Sequence, residues 1–251
     1  MTPTVAAFAH VPGQAMDLYL PPGAVQGSVL YLHGGGFRRG GREGGTAARL
    51  APPLLRQGWA LAVADYRLAT PLEAFDPDRH AAIRRMAARG AAAAGVSPLL
   101  CGAAFLAAVQ DAGAAVAALR TGAAAPATAG RPVLALGHSA GGIAALSLVF
   151  PPEGWAPLSR PDAVLATAAA MVQPWRIAPG QPPCVMLHGP ADRIIGPRAP
   201  TVAAARAQAT GAALRVIDTG LRGHDTQLAA LLDGRLWPHL QGLLDALRDG
   251  A

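Results

Sequence analysis

Apolar residues in this chain fall into short runs separated by glycine- and proline-rich turns. "MDLYLPPG" (16–23) alternates apolar and polar side chains and stops at Pro-Pro-Gly, which predicts an antiparallel edge strand. "GSVLYLHGGG" (27–36) is continuously apolar and then runs into glycines, the pattern of a strand buried on both faces. A helix is predicted over about 46–57, closing at Gly58, and "WALAVADYRL" (59–68) reads as the next buried strand. An alanine-rich stretch follows, with a helix around 108–120. "RPVLALGHSAGG" (131–142) reads as strand, turn and helix start. Beyond it, strands are predicted at 162–172, 182–189 and 213–220, and helices at 198–210 and 225–248. Alternating strands and helices, with uniformly apolar strands, predict a mostly parallel sheet covered by helices on both faces. The fold class is α/β.

With 251 residues the chain can bury a full core, and it reads as one domain spanning 1–251. Much of the 52% hydrophobic content is alanine, and segments such as "DAGAAVAALR" suit a soluble helix. No uninterrupted, strongly apolar run reaches the ~18 residues of a membrane span. The opening "MTPTVAAFAHVPGQAMDLYL" has no basic start, so no secretory signal is expected. Cys101 and Cys184 read as buried free thiols of a reducing, cytoplasmic setting, with a disulfide left open. Neither belongs to a metal-ligand spacing. The formal charge of +6 comes from 21 arginines and no lysine, scattered with short clusters only at Arg38–Arg39 and Arg84–Arg85. Without a basic stripe interleaved with aromatics, nucleic acid is not an expected partner.

Ser139 lies between Gly137 and Gly141, directly after a buried strand and at the start of an alanine-rich helix. A sharp strand-to-helix turn strains its central residue and leaves no room for side chains two positions away on either side. Glycine at both flanks is what such a turn needs, and Ser139 then stands clear of the sheet as a candidate nucleophile. A nucleophilic serine needs a base, and the base needs an orienting carboxylate. Of seven histidines, His224 in "DTGLRGHDTQL" sits in a loop past a strand end and has no competing local role. His33 and His138 belong to glycine motifs, where packing is their expected task. Asp192, four residues beyond a strand end in "VMLHGPADRIIG", is the expected carboxylate. Its rivals are weaker: Asp218 lies within a strand, and Asp225 adjoins the histidine, where its carboxylate folds onto Nδ1 only with difficulty. The glycines of "YLHGGGFRRGG" can bring bare N–H groups to a developing negative charge, so Gly35 and Gly36, with Ala140, are the expected oxyanion donors. A phosphate loop is disfavoured, because no Gly-Lys-Ser/Thr and no helix-opening Gly-x-Gly-x-x-Gly is present.

"HGGGF" (33–37), "DYRLA" (65–69), "GHSAGG" (137–142), "HGPAD" (188–192) and "GH" (223–224) together resemble the α/β-hydrolase superfamily. Within it, they are similar to the hormone-sensitive-lipase-like and the feruloyl-esterase and kynurenine-formamidase-like carboxylesterases, and "MDLYLP" is similar to the opening strand of the latter. The resemblance implies a serine carboxylesterase acting on small or short-chain esters, with no metal or organic cofactor. Aryl formamidase or amidase chemistry on the same triad, and a catalytically inactive ligand-binding protein, are the alternatives. Asp65, Tyr66 and Arg67 read as structural, an acid–arginine pair and an aromatic beside the oxyanion loop. Tyr66 is also a candidate substrate contact, with Phe37 and His138. One departure stands out: these families continue Asp-Tyr-Arg-Leu-Ala with Pro-Glu and an Asp that begins the next helix. Here Thr70-Pro71-Leu72-Glu73 follows, and Asp111 is preferred to Asp76 or Asp78 as that Asp. About 74–108 then reads as a helical insertion, either a lid or a surface elaboration.

Overall fold

A computed structural model describes residues 4–250 of the chain. Its strands are β1 (Thr4–Val11), β2 (Gln14–Leu20), β3 (Gly27–Leu32), β4 (Trp59–Ala64), β5 (Val133–His138), β6 (Ala163–Thr167), β7 (Cys184–His188) and β8 (Leu214–Asp218). They form one sheet in the order β1-β2-β4-β3-β5-β6-β7-β8. β2 is antiparallel to both β1 and β4, and every pairing from β4 through β8 is parallel. The helices are α1 (Thr46–Arg56), α2 (Pro77–Ala94), α3 (Ala103–Thr121), α4 (Ala140–Val149), α5 (Arg198–Thr210), α6 (Thr226–Leu232) and α7 (Trp237–Asp249).

Because successive strand side chains point to opposite faces, each apolar run feeds two cores. Val29 and Tyr31 of β3, Leu61 and Val63 of β4, and Leu134 and Leu136 of β5 pack with residues of α1, α6 and α7. Leu30, Leu32, Ala62, Ala135 and Met186 face the other way, toward α2, α3, α4 and α5. The chain leaves β3 through α1 to reach β4 on one side, and leaves β5 through α4 to reach β6 on the other. The carboxyl ends of neighbouring β3 and β5 therefore part, and a crevice opens between their loops, where open α/β sheets bind ligands.

Several predicted elements shift. The 16–23 segment is not the sheet edge: β1 lies outside it, joined by a tight hairpin at Pro12-Gly13. The alanine-rich "TVAAFAHV" carries too weak an alternation to mark that strand. The predicted 162–172 strand ends at Thr167, because Ala168 turns the chain with φ 49°. The predicted closing helix is two, α6 and α7, separated at Asp233-Gly234-Arg235-Leu236.

Residues 74–108 do fold mainly as helix, but α3 starts at Ala103 and places Asp111 in its interior rather than at its beginning. Asp76 has a local task instead, accepting a hydrogen bond from Asp78 N–H at the start of α2. The stretch Pro98–Thr121 has the length and mean hydropathy (1.7) of a membrane span, yet it is 61% buried within the protein. Its apolar character serves the core against α4 and the sheet. Cys101 and Cys184 are free and buried, and burial pushes the Cys101 thiol up to about 12 and the Cys184 thiol up as well.

Candidate active site

The turn from β5 to α4 holds Ser139 at φ 53°, ψ −119°, a conformation costing about 1–3 kcal/mol for a residue with a side chain. Two backbone bonds impose it: Ser139 N–H donates to the Thr167 carbonyl (2.9 Å), and Ile143 N–H donates to the Ser139 carbonyl (3.0 Å). A Cβ at Gly137 would collide with the backbone of Gly141, and one at Gly141 with the carbonyls of Leu32 and His33. The flanking glycines thus allow α4 to start against the end of β3, which holds Ser139 beside the crevice.

His224, in the loop between β8 and α6, reaches Ser139 and Asp192 at once. Its Nδ1 lies 2.8 Å from Asp192 Oδ2, and its Nε2 lies 2.8 Å from Ser139 Oγ. A carboxylate only accepts, so Nδ1 carries the proton and Nε2 presents its lone pair to the serine hydroxyl. Asp192 is buried, and its second oxygen accepts from Ile194 N–H (2.8 Å) and Ile195 N–H (3.0 Å). Those two bonds orient the carboxylate toward His224 and offset its removal from water.

Three further histidines surround this line. His188 donates from Nε2 to the Ile195 carbonyl (3.0 Å), beneath Asp192. His33 donates from Nδ1 to the Gly34 carbonyl (2.6 Å). His138 lies between Thr167 Oγ1 (3.0 Å from Nδ1) and Asp225 Oδ1 (3.1 Å from Nε2), its ring 5.2 Å from that of His224. Burial holds all three below the usual imidazole range, outweighing the carboxylates nearby. They stay neutral at neutral pH, so none of these three rings sets a like charge against a positive charge forming on His224.

Gly35 (φ 116°) and Gly36 (φ 64°) shape the loop after β3, and Phe37 shares the positive φ (60°). The N–H groups of Gly35, Gly36 and Ala140 enter no hydrogen bond among the described residues, which leaves them free to act as donors. The loop is braced from below. Tyr66 donates its hydroxyl to the His33 carbonyl (2.6 Å) and stacks on the His33 ring at 4.2 Å. Phe37 packs edge-on against Tyr66 and Phe105, and Ala69 N–H donates to the Phe37 carbonyl (2.7 Å). Phe37 and Tyr66, the expected substrate contacts, are both buried and support the loop from behind. His138 is buried too, with Nε2 meeting Asp225.

The acid and the arginine of "DYR" pair with remote partners rather than with each other. Arg42 bridges Asp17 (3.0 Å) and Asp65, and its N–H donates to Asp65 (2.8 Å). Arg67 donates from its backbone N–H (2.7 Å) and from Nε (3.0 Å) to the buried Asp111. Arg42, Thr167 and the approach of Asp225 to His138 escaped the sequence reading. Asp225 was weighed only as a partner for its neighbour His224, whereas its carboxylate meets a ring 87 residues away. Two cavities border the residues around the site. One of about 570 Å³ borders His33, Gly34, Arg42, Asp65 and His138, and one of about 390 Å³ borders Arg193, Ile194, Arg222 and His224.

No protein-family model matches the chain, and no curated protein matches it in sequence. Solved structures do match in shape. A thermophilic esterase from Thermogutta terrifontis, Est2 with butyrate bound, superposes with a TM-score of 0.71 at 16% identity, covering 97% of this chain and 94% of that one. The same esterase phosphonylated by cyclosarin gives 0.66 at 18% identity, with 95% and 94% covered. A truncated carbohydrate esterase from gut microbiota gives 0.67 at 15% identity, with 94% and 91% covered. With its mixed eight-stranded sheet and helices on both faces, the chain has the α/β-hydrolase fold.

Proposed function

We propose that the protein is a serine carboxylesterase, with Ser139, His224 and Asp192 as its catalytic triad. Ser139 Oγ attacks the ester carbonyl as His224 Nε2 accepts its proton. Asp192 keeps the ring in the tautomer this transfer needs and stabilises the imidazolium that forms. The N–H groups of Gly35, Gly36 and Ala140 donate to the oxyanion, one such donor being worth about 3 kcal/mol at the transition state. His224 then protonates the departing alcohol, and water repeats the cycle on the acyl-enzyme.

His224 supports this reading above all, because one imidazole contacts both the serine and the carboxylate at 2.8 Å. The solved neighbours add to it: they are esterases, one is phosphonylated by cyclosarin, and one holds butyrate. Small acyl groups are accordingly the proposed substrates. The HGGGF and GHSAGG motifs support a place beside the hormone-sensitive-lipase-like and feruloyl-esterase and kynurenine-formamidase-like groups. Phe105, from the 74–108 segment, packs against Phe37, which supports a part for that segment in holding the glycine loop in place.

The test is hydrolysis of p-nitrophenyl butyrate by the protein and by Ser139→Ala, with a fluorophosphonate probe and peptide mass spectrometry locating the label. Hydrolysis lost in Ser139→Ala, together with a label on Ser139, is the expected result. Undiminished turnover by the variant overturns the assignment.

A further inference from the structure

We propose that His138, His224 and Asp225 form an inhibitory site for zinc, in which the ion takes the lone pair of the base and frees Ser139 from it. The inhibition rests on the esterase reading above, whereas the binding does not.

The ligating atoms of these three side chains lie within 4.8 Å of one another. Zinc bound by two imidazole nitrogens and a carboxylate oxygen, with water as fourth ligand, needs ligand atoms about 3.3 Å apart. His138 Nε2 and Asp225 Oδ1 already stand at 3.1 Å. Part of the remaining adjustment falls to Asp225, whose side chain is 90% exposed and makes no cap bond to α6, so it swings at little cost, and part to a small shift of the two imidazole rings.

Hydrogen bonding around the two rings suits a metal as well as a proton. His224 is held by Asp192 with its proton on Nδ1, the carboxylate–histidine arrangement that orients and strengthens a metal-bound imidazole. Its Nε2 lone pair is therefore permanently directed away from Asp192. His138 must carry its proton on Nδ1 to offer Nε2 to a cation, and Thr167 accommodates that tautomer. Its hydroxyl oxygen accepts from Nδ1–H, and its own proton turns to the Gly137 carbonyl at 3.5 Å. In that tautomer the Nε2 lone pair faces a carboxylate oxygen at 3.1 Å, a contact between two acceptors that a cation between them converts to attraction. Two carboxylates, Asp192 and Asp225, offset the charge of a divalent ion. Imidazole donors select zinc over magnesium, which prefers oxygen ligands.

Binding and inhibition are read separately. Chelator-washed Ser139→Ala and Ser139→Ala/Asp225→Ala are titrated with zinc chloride by calorimetry. One site is expected in the first, and affinity about tenfold or more weaker in the second. Hydrolysis of p-nitrophenyl butyrate by wild type and Asp225→Ala is then followed with zinc or magnesium, each protein against its own metal-free rate, and again after EDTA. Zinc is expected to suppress the wild type at least about tenfold, reversibly, with Asp225→Ala correspondingly less sensitive and magnesium inert. Absence of a calorimetric site, or equal affinity in both proteins, overturns the proposal. A protein inactive without metal overturns the esterase reading while calorimetry still decides the site.

Discussion

The Tyr66 hydroxyl donates to the His33 carbonyl at 2.6 Å, and the two rings stack at 4.2 Å. Through that pair the segment after β4 fixes the backbone just ahead of Gly35 and Gly36, the proposed oxyanion donors. Tyr66→Phe keeps the stacking and removes the donor. Expected are a fall in kcat of about tenfold with KM little changed, since donors displaced by a fraction of an ångström act on the transition state. Leaving the carbonyl unpaired in a buried site costs about 1–3 kcal/mol, measurable by urea unfolding.

Asp192→Asn retains the shape of the carboxylate. Its side-chain oxygen can still accept from Ile194 and Ile195 N–H, so the fold is expected to persist. Its amide then faces His224 Nδ1 as a donor, forces the other tautomer, and removes the lone pair from Nε2. A loss in kcat of about 10³–10⁴ is expected, measured on p-nitrophenyl butyrate with the circular dichroism spectrum unchanged.

Gly35 and Gly36 are adjacent and differ in what surrounds them. A Cβ at Gly35 would collide with the Arg39 carbonyl, whereas one at Gly36 meets nothing within 4 Å. Gly36→Ala should cost only the left-handed strain, about 1–2 kcal/mol. Gly35→Ala must move the loop, so it is expected to lose both more stability and most of its activity. Comparing unfolding midpoints and kcat of the two variants checks the ordering.

Asp111 is 1% exposed and its partner Arg67 is 40% exposed. Arg67→Ala strands a buried carboxylate that retains, among the described residues, only the Arg67 backbone N–H. The expected destabilisation is about 2 kcal/mol, below the 3–5 kcal/mol of a fully buried pair because Arg67 is partly in water. Denaturant titration measures it.

His188 and His33 have pKa values lowered by burial from 6.5. Below 6.5 the unfolded chain binds their protons more tightly than the folded one, so stability falls as pH drops from 6.5 toward the lowered values. Above 6.5 both states are neutral and the contribution vanishes. Tm is therefore expected to decline from pH 7 to pH 5, with a shallower slope in His188→Gln, by differential scanning calorimetry.

Local chemistry alone determined much of this protein. The uniformly apolar runs at 27–32, 59–64 and 133–138 could only be doubly buried strands, and the glycines flanking Ser139 marked a turn no other residue fits. The same logic of strand ends selected Asp192 and His224, which the fold brings to 2.8 Å contacts. Weak or long-range signals were not legible. Strand β1 is too alanine-rich to alternate visibly, and the helix break at 233–236 leaves the apolar periodicity intact on both sides. Tertiary structure alone decided the partners of charged and ring groups: Arg42 with Asp17 and Asp65, Arg67 with Asp111, His138 with Asp225. It also packed Phe37 and Tyr66 together beneath the glycine loop. Periodicity and turn chemistry act over a few residues and so can be read along the chain. Pairing between side chains is set by which strand ends the sheet order makes neighbours, and only the folded sheet supplies that order.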